Sequence, residues 1–502
     1  MTRSIVYCLF YLILFSIKLV GQTGFEINYQ TPEDEFLTDG IVDNQGNSIL
    51  TGSSFNYTDS IHHGIVFKVF PNGEYLYRHI LKPDTTCQFG SITLLDNGNY
   101  MVIGRYSVEG DPSHKDRMLV MILNPELETV MEKTYLLNDE HYVSYGFPFN
   151  TLIEPDRNIV LANTRLSYRW DKSRAPDNID YYFMRLNQQG DTLLTKGYET
   201  FPSVDIGALR LVPSTDTLMV IGRGYNQNGY EEMLLLDHNF NVVQSFDIGQ
   251  DDDISGNKCT DVWLNSREFL MTRNGLLEDD KRNDFYTVVS KLNTSGEFLQ
   301  ELILNRIDTN DYAFWIKSMA YQNDSTIYIG VNEVHFNWTL PAQSVIYLID
   351  TAMNLLGRLD LNDDAYYEII SMEATTDQGC ILFGSSITNV AQYLRDVYIQ
   401  KILREDFEII TQLTDLPAMA LNSKAWPNPA NDLLHINLDG LPQSSDFRLQ
   451  IYNTAGQKYF DKGLTATAKS VQCQIGVLPA GTYVYQLQTA TGQAGSGTFI
   501  KL

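Results

Sequence analysis

The sequence predicts an all-β protein in two unequal parts, a large repeat-built unit followed by a small sandwich. Three observations carry this. A motif of polar turn, short apolar run and closing small residue recurs through the first 400 residues. The composition is rich in turn and strand formers, with 30 Tyr, 24 Phe and 34 Gly among 502 residues. Near residue 424 the spacing changes to short alternating strands, and Pro427 and Pro429 mark a rigid entry.

The motif is clearest at Asp96-Asn-Gly-Asn-Tyr-Met-Val-Ile-Gly104 and Asp216-Thr-Leu-Met-Val-Ile-Gly222. Aligned copies place small residues at Gly52, Gly104, Ala162, Gly222, Thr272, Gly330 and Gly384, so the period wanders between 50 and 60 residues. Each copy reads as four strands: an inner one before the first turn, the apolar run, a third before a second turn, and an alternating outer one. Thr287–Leu292 and Gly296–Leu304 show the last two. Four antiparallel strands per repeat, with the surplus length in loops, is the pattern of a propeller blade. Seven copies predict a seven-bladed β-propeller. The marks of WD or kelch repeats are missing, and the copies resemble instead the degenerate Gly- and Asn-rich repeats of many bacterial propellers. Phe25–Tyr29 and Phe407–Leu413 both read as an outer strand able to complete the last blade.

The tail carries ordered motifs. Trp426-Pro-Asn-Pro-Ala opens it, Ile451-Tyr-Asn-Thr-Ala-Gly456-Gln follows, then Leu478-Pro-Ala-Gly481-Thr-Tyr-Val-Tyr, and Phe499-Ile-Lys501 ends it. In this order they resemble the C-terminal sorting domain of the type IX secretion system. The residues that carry the likeness are Trp426, Pro427, Asn428, Pro429, Gly456, Gly481 and Lys501, with Trp426 in place of the usual Tyr. The resemblance implies an immunoglobulin-like sandwich, a partnership with outer-membrane secretion machinery, and removal of the tail after export. An ordinary adhesive sandwich module is the competing reading.

The N-terminus agrees with export. Arg3 precedes an apolar run of 13 residues from Ile5 to Ile17, and Gly21 follows in a polar exit. That is the layout of a signal peptide, residues 1–21, and is too short for a comfortable transmembrane span. No other stretch of the sequence is long and apolar enough to cross a bilayer. The expected organisation is then a propeller over 23–416, a linker over 417–425 and the sorting domain over 426–502. Export to the cell surface or the medium follows by way of the periplasm. A formal charge of −26 argues against nucleic-acid binding, since little basic surface remains to neutralise phosphates. Cys87, Cys259, Cys380 and Cys473 are too scattered for a disulfide framework and read as buried small hydrophobes.

Function is expected on the face that carries the long connections between second and third strands. These hold Tyr57, His62, His63, Tyr106, His114, Tyr168, Trp170, Tyr225, Tyr230, His335, Trp338 and Tyr393, types suited to binding a glycan or a protein. Many such side chains also serve merely to pack long loops together. Asp251, Asp253 and Ser255 before Gly256 resemble the start of a Ca2+ loop, although Val262 stands where the bidentate Glu belongs. An acidic solvated turn is the other reading of that stretch. No nucleophile elbow, zinc-protease or phosphate-loop motif is present, so binding is favoured over catalysis. A carbohydrate-active hydrolase or lyase on the same scaffold, and a ligand-free structural surface protein, are the alternatives. Deleting residues 424–502 is expected to hold the protein in the periplasm; fractionation that finds it outside the cell in normal amount would overturn the sorting role.

Overall fold

The computed structural model describes residues 24–409 and 424–502 except 59, 81–84, 109–116, 136–141, 146–148, 169–177, 201–203, 225–230, 249–260, 280–281, 305–309, 335–342, 362–364, 388–393, 438–445, 454–457, 466–469 and 490–491. Its described residues form strands and turns with one short 3-10 turn, Arg404–Asp406. Among the described residues no helix is long and apolar enough to cross a membrane.

Up to residue 409 the strands build seven antiparallel sheets in chain order. Sheet 1 comprises Asp34–Val42, Ser48–Asn56, Ile61–Val69 and Tyr75–Ile80, and sheet 2 Thr85–Leu94, Tyr100–Val108, Arg117–Leu123 and Thr129–Tyr135. In sheet 3, Tyr142–Tyr145 and Asn150–Ile153 share the first position before Ile159–Tyr168, Asn178–Leu186 and Thr192–Thr200. Sheet 4 runs Val204–Leu211, Leu218–Gly224, Glu231–Leu236, Val242–Asp247, and sheet 5 Asp261–Trp263, Glu268–Asp279, Arg282–Asn293, Phe298–Leu304. Sheet 6 starts with Asn310–Ala313 and Met319–Asn323 and continues through Thr326–Val334, Gln343–Ile349 and Leu355–Asp360. Sheet 7 contains Tyr366–Ala374, Cys380–Ile387 and Asp396–Ile402, and its fourth strand is the N-terminal Phe25–Tyr29. The competing segment goes elsewhere: Glu408–Ile409 pairs with Gly357 and Arg358 at the edge of sheet 6.

This is an all-β, propeller-like arrangement. Each sheet buries apolar side chains against the next. Ile49 and Val66 of sheet 1 meet Phe89, Val102 and Leu119 of sheet 2. The last sheet packs on the first in the same way, with Phe383 and Ile399 against Leu50, Ile65 and Phe67. Fully burying one such side chain contributes roughly 1.5–3 kcal/mol, so these interfaces supply most of the drive to assemble. Cys87, Cys380 and Cys473 are buried in these and similar clusters, as small hydrophobes would be; Cys259 lies outside the described residues.

The recurring small residue has a physical cause. The first strand carries a bulge at Leu37/Asp39, Phe89/Ser91, Ile206/Ala208 and Ile369/Ser371. Directly opposite stand Gly52, Gly104, Gly222 and Gly384. The bulge pushes a carbonyl against the facing backbone. A Cβ on Gly52 would lie 2.1 Å from Phe36 O, and one on Gly384 2.2 Å from Glu368 O. In sheet 6 an aromatic ring fills the space instead, with Phe314 2.1 Å from a Cβ on Gly330.

The second turns share another device. Asp237 Oδ1 accepts the N–H groups of Asn239 and Asn241 at 2.8 and 2.7 Å, and Asn241 Nδ2 donates back to Asp237 Oδ2 at 2.7 Å. Asn124, Asn187 and Asn293 accept the same two backbone N–H groups, but here their own Nδ2 donates to the carboxylate of Glu128, Asp191 or Glu297. The residue before the last of each turn has a left-handed backbone, which is Gly190 and Gly296 in two copies but Leu127 and Phe240 in others. Leu127 and Phe240 are buried, so apolar contact offsets a backbone that side chains ordinarily avoid.

The C-terminal part forms two sheets around one apolar cluster. Ala425–Trp426, Leu433–Asn437 and Ser470–Gln474 make the first. Lys458–Thr465, Asp446–Asn453, Gly481–Thr489 and Gly492–Lys501 make the second. Leu434, Ile436, Leu449, Ile451, Tyr485 and Phe499 fill the space between them. The opening and closing motifs meet. Asn428 Oδ1 accepts the N–H of Ile500 at 2.9 Å, and Ala430 exchanges backbone bonds with Ile500 and Leu502.

Gly52→Ala is expected to destabilise the protein by roughly 1–3 kcal/mol, the range of an overpacked core site. Urea unfolding checks this, and a variant as stable as the parent would remove the bulge explanation.

Candidate functional site

The long-connection end of sheet 1 gathers most of the candidate side chains that the structure describes. Ser48–Asn56 and Ile61–Val69 are joined there, with Asn56 opposite Ile61 and Phe55 opposite His62. Tyr57 follows directly and is 59% exposed. Its ring stands edge-on to Phe55 at 4.9 Å, and His62 lies across Phe55 at 4.6 Å and edge-on to Phe36 at 6.4 Å. Burial, aided by the positive charge of Arg105, lowers the His62 pKa to about 4, so this imidazole is neutral at physiological pH. His63 points the other way in the strand alternation, is buried, and meets His79 edge-on at 5.1 Å.

His79 approaches Glu33 at 3.7 Å. Burial lowers the His79 pKa, and the Glu33 carboxylate opposes that. Glu33 accepts from Ser54 Oγ, and from Asn56 Nδ2 at 3.0 Å. Arg395 of sheet 7 forms a fork on Asp34, with Nε–Oδ1 at 2.9 Å and Nη2–Oδ2 at 2.7 Å, and its guanidinium lies 4.7 Å from the Phe36 ring centre. Burial would raise the Asp34 pKa, but the Arg395 contacts outweigh it and hold it low.

Glu35 is the outlier. It is 1% exposed, and its backbone N–H donates to Arg395 O at 2.9 Å across the joint of sheets 1 and 7. Burial pushes its carboxyl up to about 8, with Glu33, Asp396 and Asp34 adding repulsion and Thr31 opposing. The same carboxyl acts on two phenols. Burial and then Glu35 raise the Tyr29 and Tyr77 pKa values. An acid that holds its proton at neutral pH beside phenols can donate a hydrogen bond or a proton.

Tyr106 sits in the second strand of sheet 2, partly buried against the cluster shared with sheet 1. Tyr168 ends the second strand of sheet 3 opposite Tyr142, and its side chain is outside the described set. His114, Trp170, Tyr225, Tyr230, His335, Trp338 and Tyr393 lie outside the described residues, as do Asp251, Asp253 and Ser255 of the Ca2+ reading and Gly456 of the tail. Among the described residues no group of three or more His, Cys, Asp or Glu is placed to hold a metal ion. Sequence reasoning missed Glu33, Glu35 and His79. The signal available was the charge of a strand, Asp34-Glu35-Phe36-Leu37, whose other residues read as core.

In the tail, Trp426 is 44% exposed and stacks on His435 at 5.5 Å, Gly481 pairs with Lys501, and Lys501 is buried. Pro427 and Pro429 both follow cis peptide bonds, with Asn428 between them bonded to the final strand.

An exported, all-β, propeller-like protein is the class that these features define. Residues 424–501 match the family of the secretion system C-terminal sorting domain, and the tail is that domain of the type IX route. The protein is therefore secreted or carried to the outer-membrane surface. No curated protein matches the chain. Among solved structures it is similar to the acylaminoacyl peptidase of Pyrococcus horikoshii, at 10% identity and TM-score 0.39 over 82% of this chain. The chain spans 58% of that peptidase's length. It is also similar to the α-L-arabinanase of Penicillium chrysogenum complexed with arabinobiose, at 8% identity and TM-score 0.42, covering 65% of this chain and 96% of that one. A PL25 ulvan lyase matches at 8% identity and TM-score 0.46, covering 78% and 98%.

Between pH ~4.5 and ~8 the unfolded chain has ionised Glu35 while the folded chain keeps its proton. The folded state then binds one more proton, so unfolding free energy falls by about 1.4 kcal/mol per pH unit over that window. Glu35→Gln is expected to remove this slope and to be the more stable protein at pH 8. Denaturation at pH 5 and pH 8 checks it, and an unchanged slope would rule out Glu35 as the source.

Proposed function

We propose that the protein is an exported binding protein whose seven sheets form a seven-bladed β-propeller, residues 23–416, that recognises a glycan or another protein through its long-connection face. The observation that carries the reading is the aromatic ledge of sheet 1. Tyr57 projects into solvent while Phe55, neutral His62 and Phe36 support it from below. An exposed, rigidly backed aromatic ring is the side chain that stacks on a sugar face or anchors a protein contact. The remaining loop candidates, from Tyr106 and His114 to Trp338 and Tyr393, extend the same face in this reading.

The other parts serve delivery. Residues 1–21 are a signal peptide, 417–425 a linker, and 426–502 an immunoglobulin-like sandwich that engages the outer-membrane secretion machinery and is then removed. A second reading, a carbohydrate-active hydrolase or lyase, is favoured by Glu35, whose carboxyl remains protonated near the phenols of Tyr29 and Tyr77.

Binding assays against glycan and protein panels, made on the secreted protein, distinguish the two. The expected result is a ligand whose affinity falls roughly tenfold or more in Tyr57→Ala, as for an interface anchor, and is unchanged in Glu35→Gln. Turnover of a polysaccharide that Glu35→Gln abolishes would establish the enzymatic reading instead.

A further inference from the structure

The first strands of sheets 1 to 4 and the Ile316–Lys317 segment of sheet 6 converge on a cavity of about 300 Å³. It lies toward the tight-turn ends of these strands, away from the aromatic ledge, and none of the described loop candidates lines it. Its volume is at the lower end of the roughly 300–1,000 Å³ typical of small-molecule pockets. That is room for a single ring rather than for a length of peptide.

Two cations stand in its wall, and they differ. Lys317 is fully engaged, with Nζ 2.9 Å from Asp39 Oδ1, 2.9 Å from Gly40 O, and bonded to Glu373. Arg210 is not. Its Nη1 donates to Leu209 O at 2.9 Å and its Nη2 to Asp261 O at 3.3 Å, while Nε lies 3.4 Å from Asp261 Oδ2. These contacts occupy at most three of the five N–H groups of a guanidinium. Three acids stand by the pair, Asp39, Asp261 and Glu373, and burial raises the pKa of the last two, with Arg210 and Lys317 opposing.

The remaining wall is polar of a different kind. Thr93 and Thr151 bring hydroxyls 3.1 Å apart, Thr151 Oγ1 lies 2.7 Å from Ser91 Oγ, and Asn150 donates its amide to Ile206 O at 3.1 Å. Hydroxyls of this sort act as donor or acceptor as a ligand requires. Aliphatic side chains such as Ile92 line the rest.

One guanidinium fork with spare donors, a patch of hydroxyls, aliphatic surface and space for one ring describe a carboxylated, hydroxyl-rich ligand. We propose that the axial cavity binds a uronate sugar unit, its carboxylate on Arg210 and its hydroxyls toward Thr93 and Thr151. This site is separate from the aromatic ledge, and the proposal does not depend on the ledge binding anything.

The test is titration of the purified protein with D-glucuronate, D-glucose and hexaglutamate, followed by saturation-transfer NMR. Glucuronate is expected to bind and glucose to bind about tenfold more weakly, in line with one charge-assisted contact. Arg210→Gln should lower glucuronate affinity about tenfold or more, whereas Tyr57→Ala should leave it unchanged. Thr151→Val, nearly isosteric, should weaken glucuronate roughly threefold to tenfold and decides the matter if Arg210→Gln does not fold. Absent glucuronate binding, equal affinity for glucose, full affinity in Thr151→Val and any folded Arg210→Gln, or tighter binding of hexaglutamate would each overturn the proposal.

Discussion

The ammonium group of Lys317 ties three sheets together where their first strands meet. From sheet 6 it reaches Asp39 and the Gly40 carbonyl in sheet 1 and Glu373 in sheet 7. Asp39 in turn accepts the N–H of Ile92 in sheet 2 at 3.0 Å. Burial alone would disfavour a charged amine here, but Asp39 and Glu373 overcome it and keep the lysine protonated. Such a pair adds little net stability over apolar packing, yet removing one member leaves the others buried and uncompensated, a loss of several kcal/mol. What the group contributes is geometry. It fixes how these strands meet and so shapes the cavity beside it.

Around that centre the sheets are held by apolar interfaces that repeat with the sequence, and a few buried ion pairs add direction. Arg185 of sheet 3 forms a fork on Glu154 of its own sheet's turn and donates to His238 O of sheet 4 at 2.7 Å. At the joint of first and last sheets, the Arg395 fork on Asp34 and the pairing of Phe25–Tyr29 with Val397–Lys401 do the same work. The N-terminal strand is thereby bound into the end of the fold, and an otherwise open sheet edge is covered. The cluster of Glu33, Glu35, His63 and His79 sits at this joint, where carboxylates crowd because two sheets from opposite ends of the chain meet.

Legibility in the sequence followed the range of the forces involved. The small residues from Gly52 to Gly384 were visible because their cause is local: in four sheets a bulge and its facing glycine lie within one sheet. The second turns were visible for the same local reason, since Asp or Asn four residues before its partner closes the hydrogen-bond ring. His62 and Tyr57 could be picked out as loop residues. The partners of His63 could not, because His79 comes from the fourth strand and Glu33 from just before the first, and they meet only across the sheet. Arg210 and Lys317 are 107 positions apart (317 − 210) and no periodicity links them.

By itself the sequence determined that this chain is all-β, built of repeats, and carries a type IX sorting tail, because strand alternation, turn chemistry and short motifs are local properties. Only the tertiary structure decided which strand completes the last sheet, with Phe25–Tyr29 there and Glu408–Ile409 on sheet 6. It alone also brought Lys317, Asp39 and Glu373 to one point and, among the described residues, left Arg210 with donors to spare. The reason is that backbone pairing at a sheet edge and burial of charge depend on what arrives from distant parts of the chain, and no window of sequence contains both partners.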